Sequence, residues 1–541
     1  IEAQQIIEPW LNGTLRPWIF FTPHFEHLPV WTRLLSWLQV ALTGRWDPLV
    51  QMTVNAAFHC TFVWLAVRWV WQSLSFRQAG FATLVVLLGG ALPFAWENIA
   101  WGFQSQFPLA LIFLFLHVHG ASHFPAGSRK WWLAQAAALA GLFTLASMWL
   151  APLAIVAAHF WTRQQDRRAW RVPAGITVLG ILLLALVHWQ GPAGHSFVEA
   201  GRAPLELLHS FLHLLSWPSG LPGAVAIVQL PWLIHAFRLR GRSDATALDR
   251  MVFALGLWNC LQAAGLAFAR TGDAGDYVSR YGDLLFIGTL AGAMALTRLM
   301  PRTGQARSLF LSVGMLWCGF VVMGLLMRAT EGHARYFHQT AQKSNELRRN
   351  AIRSYLETGD RTLIEAVETR WVLTHSTDVL TQLLDQPKFR SLLPASVNPG
   401  ASDDALGRFN RRMQSTWLGM LLAGLGLLAL AAFVVGWRST MTAPAPLLAT
   451  SDAWPARLAL VVGVLCSTGM LIWSNPLVFN RALRWHKLLG GDEALAGLTA
   501  HFAGPTSFQN ERLQGAAPIS PVELRNRFFG TAPAGPELQC V

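Results

Sequence analysis

The sequence predicts an all-α polytopic membrane protein with about twelve transmembrane helices, and three observations predict it. Hydrophobic residues make up 53% of the 541 and charged residues only 13%, with a mean hydropathy of +0.36. Apolar runs such as "FATLVVLLGGALPFAW" (81–96) and "MVFALGLWNCLQAAGLAFA" (251–269) approach the roughly 20 residues that a helix needs to cross a bilayer. These runs are continuous rather than alternating, which argues against a transmembrane β-barrel.

Twelve crossings are read at 49–73, 79–95, 105–120, 131–147, 150–162, 172–188, 222–238, 249–269, 282–299, 308–328, 416–437 and 456–474. The fourth and fifth share a break at "SMWLAP" and read as a bent pair. The loops between crossings alternate in charge. One set carries Arg77; Arg129 and Lys130; Arg163, Arg167, Arg168 and Arg171; Arg238, Arg240, Arg242 and Arg250; Arg298, Arg302 and Arg307; Arg438 and Arg457. The opposite short loops carry Arg45, Arg202, Arg270 and Arg280. Sixteen basic residues against four place the first set in the cytoplasm. The net charge of +13 is therefore a topology signal, and nucleic acid is not an expected partner.

This orientation gives five regions. Residues 1–48 form an extracytoplasmic first loop, 49–328 a transmembrane core, and 329–415 a small extracytoplasmic helical domain. Two C-terminal helices follow within 416–474, and 475–541 is an extracytoplasmic tail rich in Pro and Gly. Because the chain starts outside and with Ile1, one more helix is expected upstream. Within the first loop, "LPVWTRLLSWLQVALT" (28–43) places Leu28, Trp31, Leu34, Leu35 and Leu38 at helical spacing around Arg33. It reads as a helix lying in the outer interface, as does "PLELLHSFLHLLSW" (204–217).

Ionisable and amide side chains gather in the outer loops, where polar groups near bilayer depth are costly and tend to be functional. In "FFTPHFEHLPVW" (20–31), Glu26 stands between His24 and His27. A carboxylate there suits a general base for an acceptor hydroxyl, with the imidazoles tuning it or binding phosphate when protonated. The bland alternative is a surface acid beside interfacial aromatics. "WENIAWGFQSQF" (96–107) sets Glu97, Asn98, Gln104 and Gln106 among Trp96, Trp101 and Phe103. Aromatic faces beside amides and a carboxylate suit a sugar ring, and a polar turn in a Trp belt is the plainer account. "RTGDAGDYVSRYGD" (270–283) holds Arg270, Asp273, Asp276, Arg280 and Tyr281. Its arginines suit a phosphate or pyrophosphate, with Tyr281 as a neutral donor. Internal Arg–Asp pairing would merely order the loop.

Other signals are absent. Cys60, Cys260, Cys318 and Cys466 lie in apolar spans, Cys540 lies near the end, and no CxxC occurs, so neither a disulfide framework nor a zinc site is indicated. His209 and His213 share a helical face without a third ligand, and no cofactor motif is present. A divalent metal, Mg or Mn, has no motif behind it. No Walker A, GxGxxG or GxSxG occurs.

The layout resembles the GT-C class of integral membrane glycosyltransferases, carried by "PHFEHLPVWTRLLSWLQVALTGRWDPL" (23–49) and, over roughly residues 15–330, by the order of loops and spans. The resemblance implies sugar transfer from a polyprenyl-phosphate donor to a glycan or lipid acceptor at the outer face of a bacterial inner membrane. It gives Glu26 the acidic catalytic role, with Glu97 beside it. Arg270, Arg280 and Tyr281 would bind the donor phosphate. His24, His27, Trp96, Asn98, Trp101, Gln104, Gln106, Asp273 and Asp276 would line the sugar and acceptor site. This sequence departs from the class in having a lone Glu between histidines and no DxD in the first loop. Two other classes fit the same composition. A lipid-linked sugar transporter or flippase would need ionisable groups within the bundle. A non-enzymatic subunit of an envelope assembly complex would dock a protein partner through 329–415 and 475–541.

Overall fold

A computed structural model describes residues 2–398, apart from 75, 96, 101, 165, 191–203, 270–278, 302–304, 336–342, 366–376 and 396, together with residue 408. Every regular element among the described residues is helical. The first loop holds α1 (Glu8–Leu11) and α2 (Val30–Thr43). The bundle follows with α3 (Pro48–Ser73), α4 (Phe76–Ala91), the short α5 (Glu97–Ala100), α6 (Gln106–His123), α7 (Arg129–Gly141), α8 (Leu150–Trp161) and α9 (Arg167–Gln190). It continues with α10 (Pro204–Leu215), α11 (Val225–Leu239), α12 (Ala247–Ala269), α13 (Gly282–Leu299) and α14 (Gln305–Arg335). Four helices then stand outside it: α15 (Lys343–Thr358), α16 (Thr362–Glu365), α17 (Thr377–Asp385) and α18 (Pro387–Arg390).

A helix stands at each of the ten expected spans up to residue 328. Six stretches among the described residues are long and apolar enough to cross a membrane: Val50–Ser73, Gly102–His123, Arg167–Val187, Ala247–Ala269, Ser279–Leu299 and Ser312–Ala329. The helices α4, α7, α8 and α11 are shorter than the sequence reading placed them. The fourth span in particular ends at Gly141, six residues before the expected limit, and a tight turn at Ala146–Trp149 leads into α8. The expected break at "SMWLAP" is thus a real one. The spans at 416–437 and 456–474 and the tail 475–541 lie outside the described residues.

α13 sits at the centre of the bundle, and every residue of it except Arg298 is buried. Its small residues allow this. A Cβ at Gly288 would collide with the Asn259 amide of α12, and one at Gly89 of α4 would collide with the Phe286 ring. The periphery is the reverse. On α9, Val178, Leu182 and Leu186 are exposed, and Trp189 is 88% exposed; on α14, Val313, Met315, Leu316 and Met323 are exposed. Apolar surface on this scale is untenable in water and is the natural coat of a helix in lipid.

The bundle has two unlike ends. At one, the basic loops meet: Arg250 donates to Ser122 O at 2.9 Å and Gly241 N to Trp161 O at 2.8 Å. Asp249 binds Arg298 Nε at 2.8 Å, and α12 is capped reciprocally, Thr246 Oγ1 accepting from Asp249 N at 3.2 Å and Asp249 Oδ2 from Thr246 N at 3.0 Å. At the other end the first loop and α15–α18 share one core, built from Ile6, Ile7, Val40, Tyr355, Leu384 and Phe389. Arg45 donates to Ser391 O (2.9 Å) and Leu393 O (3.1 Å), and Trp46 N to Leu392 O (2.9 Å). Residues 1–48 and the helical domain after 329, read as two regions, therefore form one unit at this end of the bundle as far as they are described.

α2 turns its polar side inward. Thr32, Arg33, Ser36 and Gln39 are buried, while Leu38 and Leu42 are exposed, Leu42 at 76%. Of the apolar stripe read from the sequence, only Leu38 is exposed: Leu28 is buried, Trp31, Leu34 and Leu35 are half-buried, and Trp31 Nε1 donates to Ala140 O at 2.8 Å, so that stripe packs largely on the protein rather than facing away from it.

Candidate functional site

Residues 24–27 form a hairpin turn. His24 N donates to His27 O at 2.9 Å and His27 N to His24 O at 3.0 Å. Phe25 sits inside it at φ +50°, a conformation that costs a bulky side chain energy and persists only where surroundings impose it. The turn presents Glu26 at its tip. His27 Nδ1 accepts from Ala146 N at 3.1 Å, which leaves the ring proton on Nε2. That atom faces Glu26 Oε1 at 3.5 Å, so a neutral imidazole steadies the carboxylate.

Arg33 holds this loop from beneath. Its side chain is fully buried, and its Nη1 is shared among Ile19 O (3.3 Å), Phe20 O (3.3 Å), Thr22 O and Thr22 Oγ1 (3.0 Å). Nη2 donates to Gln5 Oε1 at 3.3 Å. A residue noted in the sequence only as lying within an amphipathic helix is the organiser of the first loop.

Burial, with smaller contributions from the charges of His27 and Arg33, lowers the His24 pKa to about 4. His24 is thus neutral at pH 7, and a cationic phosphate-binding role for it is confined to acid. The ordinary imidazole pKa is about 6.5, so below that value the unfolded loop takes up a proton that the folded loop refuses. The linkage then removes stability from the loop as pH falls from about 6.5 towards 4. Hydrogen exchange of residues 20–27 should speed up over that interval, and His24→Gln should lack this component.

The second and third patches are joined to each other. Glu97 Oε2 accepts from Arg280 N at 3.0 Å. Asn98 Nδ2 donates both to Arg280 O (2.9 Å) and to Asp283 Oδ2 (2.9 Å). Asp283 in turn lies 3.8 Å from Nδ1 of His59 on α3, whose Nε2 bonds Gly90 O at 2.9 Å. Asn98, Asp283 and His59 are 1%, 3% and 3% exposed. Asn98, expected at the sugar, is spent as a tie between two segments. His59 was not singled out from the sequence; an imidazole inside an apolar span was the signal available.

The guanidinium of Arg280 lies over the Tyr281 ring, 5.4 Å from its centroid, and among the described residues no carboxylate pairs with it. Gln104 and Gln106 are buried, and their Oε1 atoms accept no hydrogen bond from the described residues. The first loop reaches the second patch through His24, whose ring meets that of Phe103 edge-on at 5.0 Å, and through Thr32 Oγ1, 2.7 Å from Ser105 Oγ. Tyr281 packs on Phe107 with centroids 6.1 Å apart. All three patches therefore meet at the end of the bundle that carries the unit of first loop and α15–α18. Trp96, Trp101, Arg270, Asp273 and Asp276 lie outside the described residues or their described side chains. Among the described residues, no group of three or more His, Cys, Asp or Glu side chains is placed to hold a metal ion.

No protein-family model matches the chain, and neither the curated proteins nor the solved structures searched contain a significant match to it.

Proposed function

We propose that this chain is a multi-pass glycosyltransferase of the bacterial inner membrane, transferring a sugar from a polyprenyl-phosphate donor to a glycan or lipid acceptor at the outer face. The supporting observation is the meeting of three sequence-distant patches at one end of an apolar bundle. Glu26 stands on one and the guanidinium of Arg280, with no carboxylate partner among the described residues, on another. In this reading Glu26 takes the proton of the acceptor hydroxyl, with His27 Nε2–H holding the carboxylate in place. Arg280, with Arg270, offsets the charge of the donor phosphate. The amide oxygens of Gln104 and Gln106 accept from sugar hydroxyls, and Trp96 and Trp101 supply ring faces. Direct attack assisted by one carboxylate would invert the anomeric centre.

The assay is transfer of radiolabelled sugar from a polyprenyl-phosphate donor by the purified chain in proteoliposomes. A covalent product supports the proposal; passage of the donor across the bilayer with no product supports a flippase instead. The buried His59–Asp283 pair favours that second reading, because ionisable groups inside a bundle are a common feature of transporters.

Twelve crossings with the extramembrane unit outside also make a topological prediction. In a cysteine-free background, Asn12→Cys should react with a membrane-impermeant maleimide in intact spheroplasts. Ser243→Cys, at the opposite end, should react only after permeabilisation. The reverse pattern would invert the proposed orientation and place Glu26 in the cytoplasm.

A further inference from the structure

We propose that His59 and Asp283 together bind one exchangeable proton inside the membrane-spanning bundle, and that this proton keeps the Asn98 clasp on Arg280 closed. The inference follows from donor and acceptor bookkeeping and does not rest on the transferase reading. Gly90 O can only accept, so the His59 Nε2 atom 2.9 Å away carries a hydrogen. In a neutral ring Nδ1 then presents a lone pair. It faces Asp283 Oδ2 at 3.8 Å, and among the described residues no donor bonds it. An ionised Asp283 would set two acceptors against each other in a dry interior, and like-signed groups there repel strongly. One proton between the two rings the conflict off, whether it rides on the carboxyl or on the imidazole.

Few charged groups surround this proton among the described residues. Residues 78–91 of α4, the turn 92–95 after it, 106–116 of α6 and 251–269 of α12 contain no Asp, Glu, Lys, Arg or His. On α10, Glu206 and His209 are exposed and His213 is half-buried. His235 of α11 sits with Asp249 and Arg298 at the opposite end. The charged groups next to the pair are Glu97 and Arg280, on the turns that Asn98 ties. Asp283 Oδ2 accepts from the same Asn98 nitrogen that reaches Arg280 O. Loss of the proton would therefore be felt at Arg280 through a single side chain.

The test uses the whole chain in lipid bilayers. Asp–Leu occurs once in the sequence, at Asp283–Leu284, and His–Cys once, at His59–Cys60. Pairwise carbon-13 and nitrogen-15 labelling thus isolates both residues in the wild-type protein by solid-state NMR. At pH 7 the spectra should show either a protonated Asp283 carboxyl or a doubly protonated His59 ring. An ionised Asp283 opposite a singly protonated His59 would overturn the proposal. The clasp is tested by following Arg280 amide exchange across pH beside the same spectra, with Asp283→Ala marking the open clasp at about tenfold or more above wild type. Corrected for intrinsic base catalysis, exchange in the wild type should stay level for as long as the spectra show the proton held, and should speed up about tenfold where it leaves. A rise in exchange with the proton still bound, or level exchange after it has left, would sever the proton from the clasp.

Discussion

Glu26→Gln is expected to lower sugar transfer by roughly 10²–10⁴-fold, the usual contribution of a positioned general base. The substitution is close to isosteric. It retains an oxygen to face His27 Nε2–H at 3.5 Å, so the turn and its strained Phe25 should persist. What disappears is the capacity to take a proton. Binding of the polyprenyl-phosphate donor should be nearly unchanged, since the phosphate partner proposed here, Arg280, lies on another segment. The decisive measurement is kcat for transfer beside donor affinity and thermal stability of the same preparation. Turnover within tenfold of wild type would remove Glu26 from the chemistry. Equal losses of turnover and stability would show instead a structural role for the turn.

The second large effect is expected at Arg33. Its guanidinium serves the carbonyls of Ile19, Phe20 and Thr22 from a fully buried position. Ile19 O keeps Thr22 N and Thr22 Oγ1 as donors, so the carbonyls of Phe20 and Thr22 are the two that lose theirs; at about 1–3 kcal/mol for each unsatisfied acceptor, Arg33→Ala should destabilise the first loop locally by at least about 2 kcal/mol. That corresponds to roughly a thirtyfold increase in local opening. Hydrogen exchange should rise across residues 17–27 while α12 and α13 remain protected, because the bundle core does not depend on the loop. Arg33→Lys should recover only part of the protection, as an ammonium lacks the second nitrogen that reaches Gln5. Unchanged exchange in the first loop of Arg33→Ala would refute the organising role.

The bundle was legible because apolar run length and loop charge are one-dimensional signals. α3, α6, α9, α12, α13 and α14 all stand where continuous hydrophobic stretches demand them. Helix ends were less legible. At α7 the run "AQAAALAGLFTLAS" stays apolar past Gly141, and only the three-dimensional turn into α8 ends the helix. The patches at 24–27, 97–106 and 280–281 were visible as polar residues in the wrong company. Their joints were not. Asn98 and Asp283 are 185 positions apart, and nothing local in "WENIAW" tells an amide that reaches a sugar from one that reaches an aspartate. His59 was hidden because its neighbours in "AAFHCTF" are apolar, and a lone imidazole there does not announce its partner. The role of Arg33 was hidden for a related reason: helical periodicity locates a polar residue on a face without saying whether that face meets protein or solvent.

The inward polarity of α2 also bears on how the protein can be handled. Trp18, Phe21 and Phe25 join Leu38 and Leu42 on the outside of the first loop, so the unit above the bundle is a cap that carries apolar surface outside as well as an apolar core. Cut from its bilayer and expressed as an ectodomain, such a cap would clump rather than stay in solution. Detergent micelles that shield only the spans would leave its rim bare. Nanodiscs, whose headgroup zone reaches that rim, are the setting in which the cap should keep its shape.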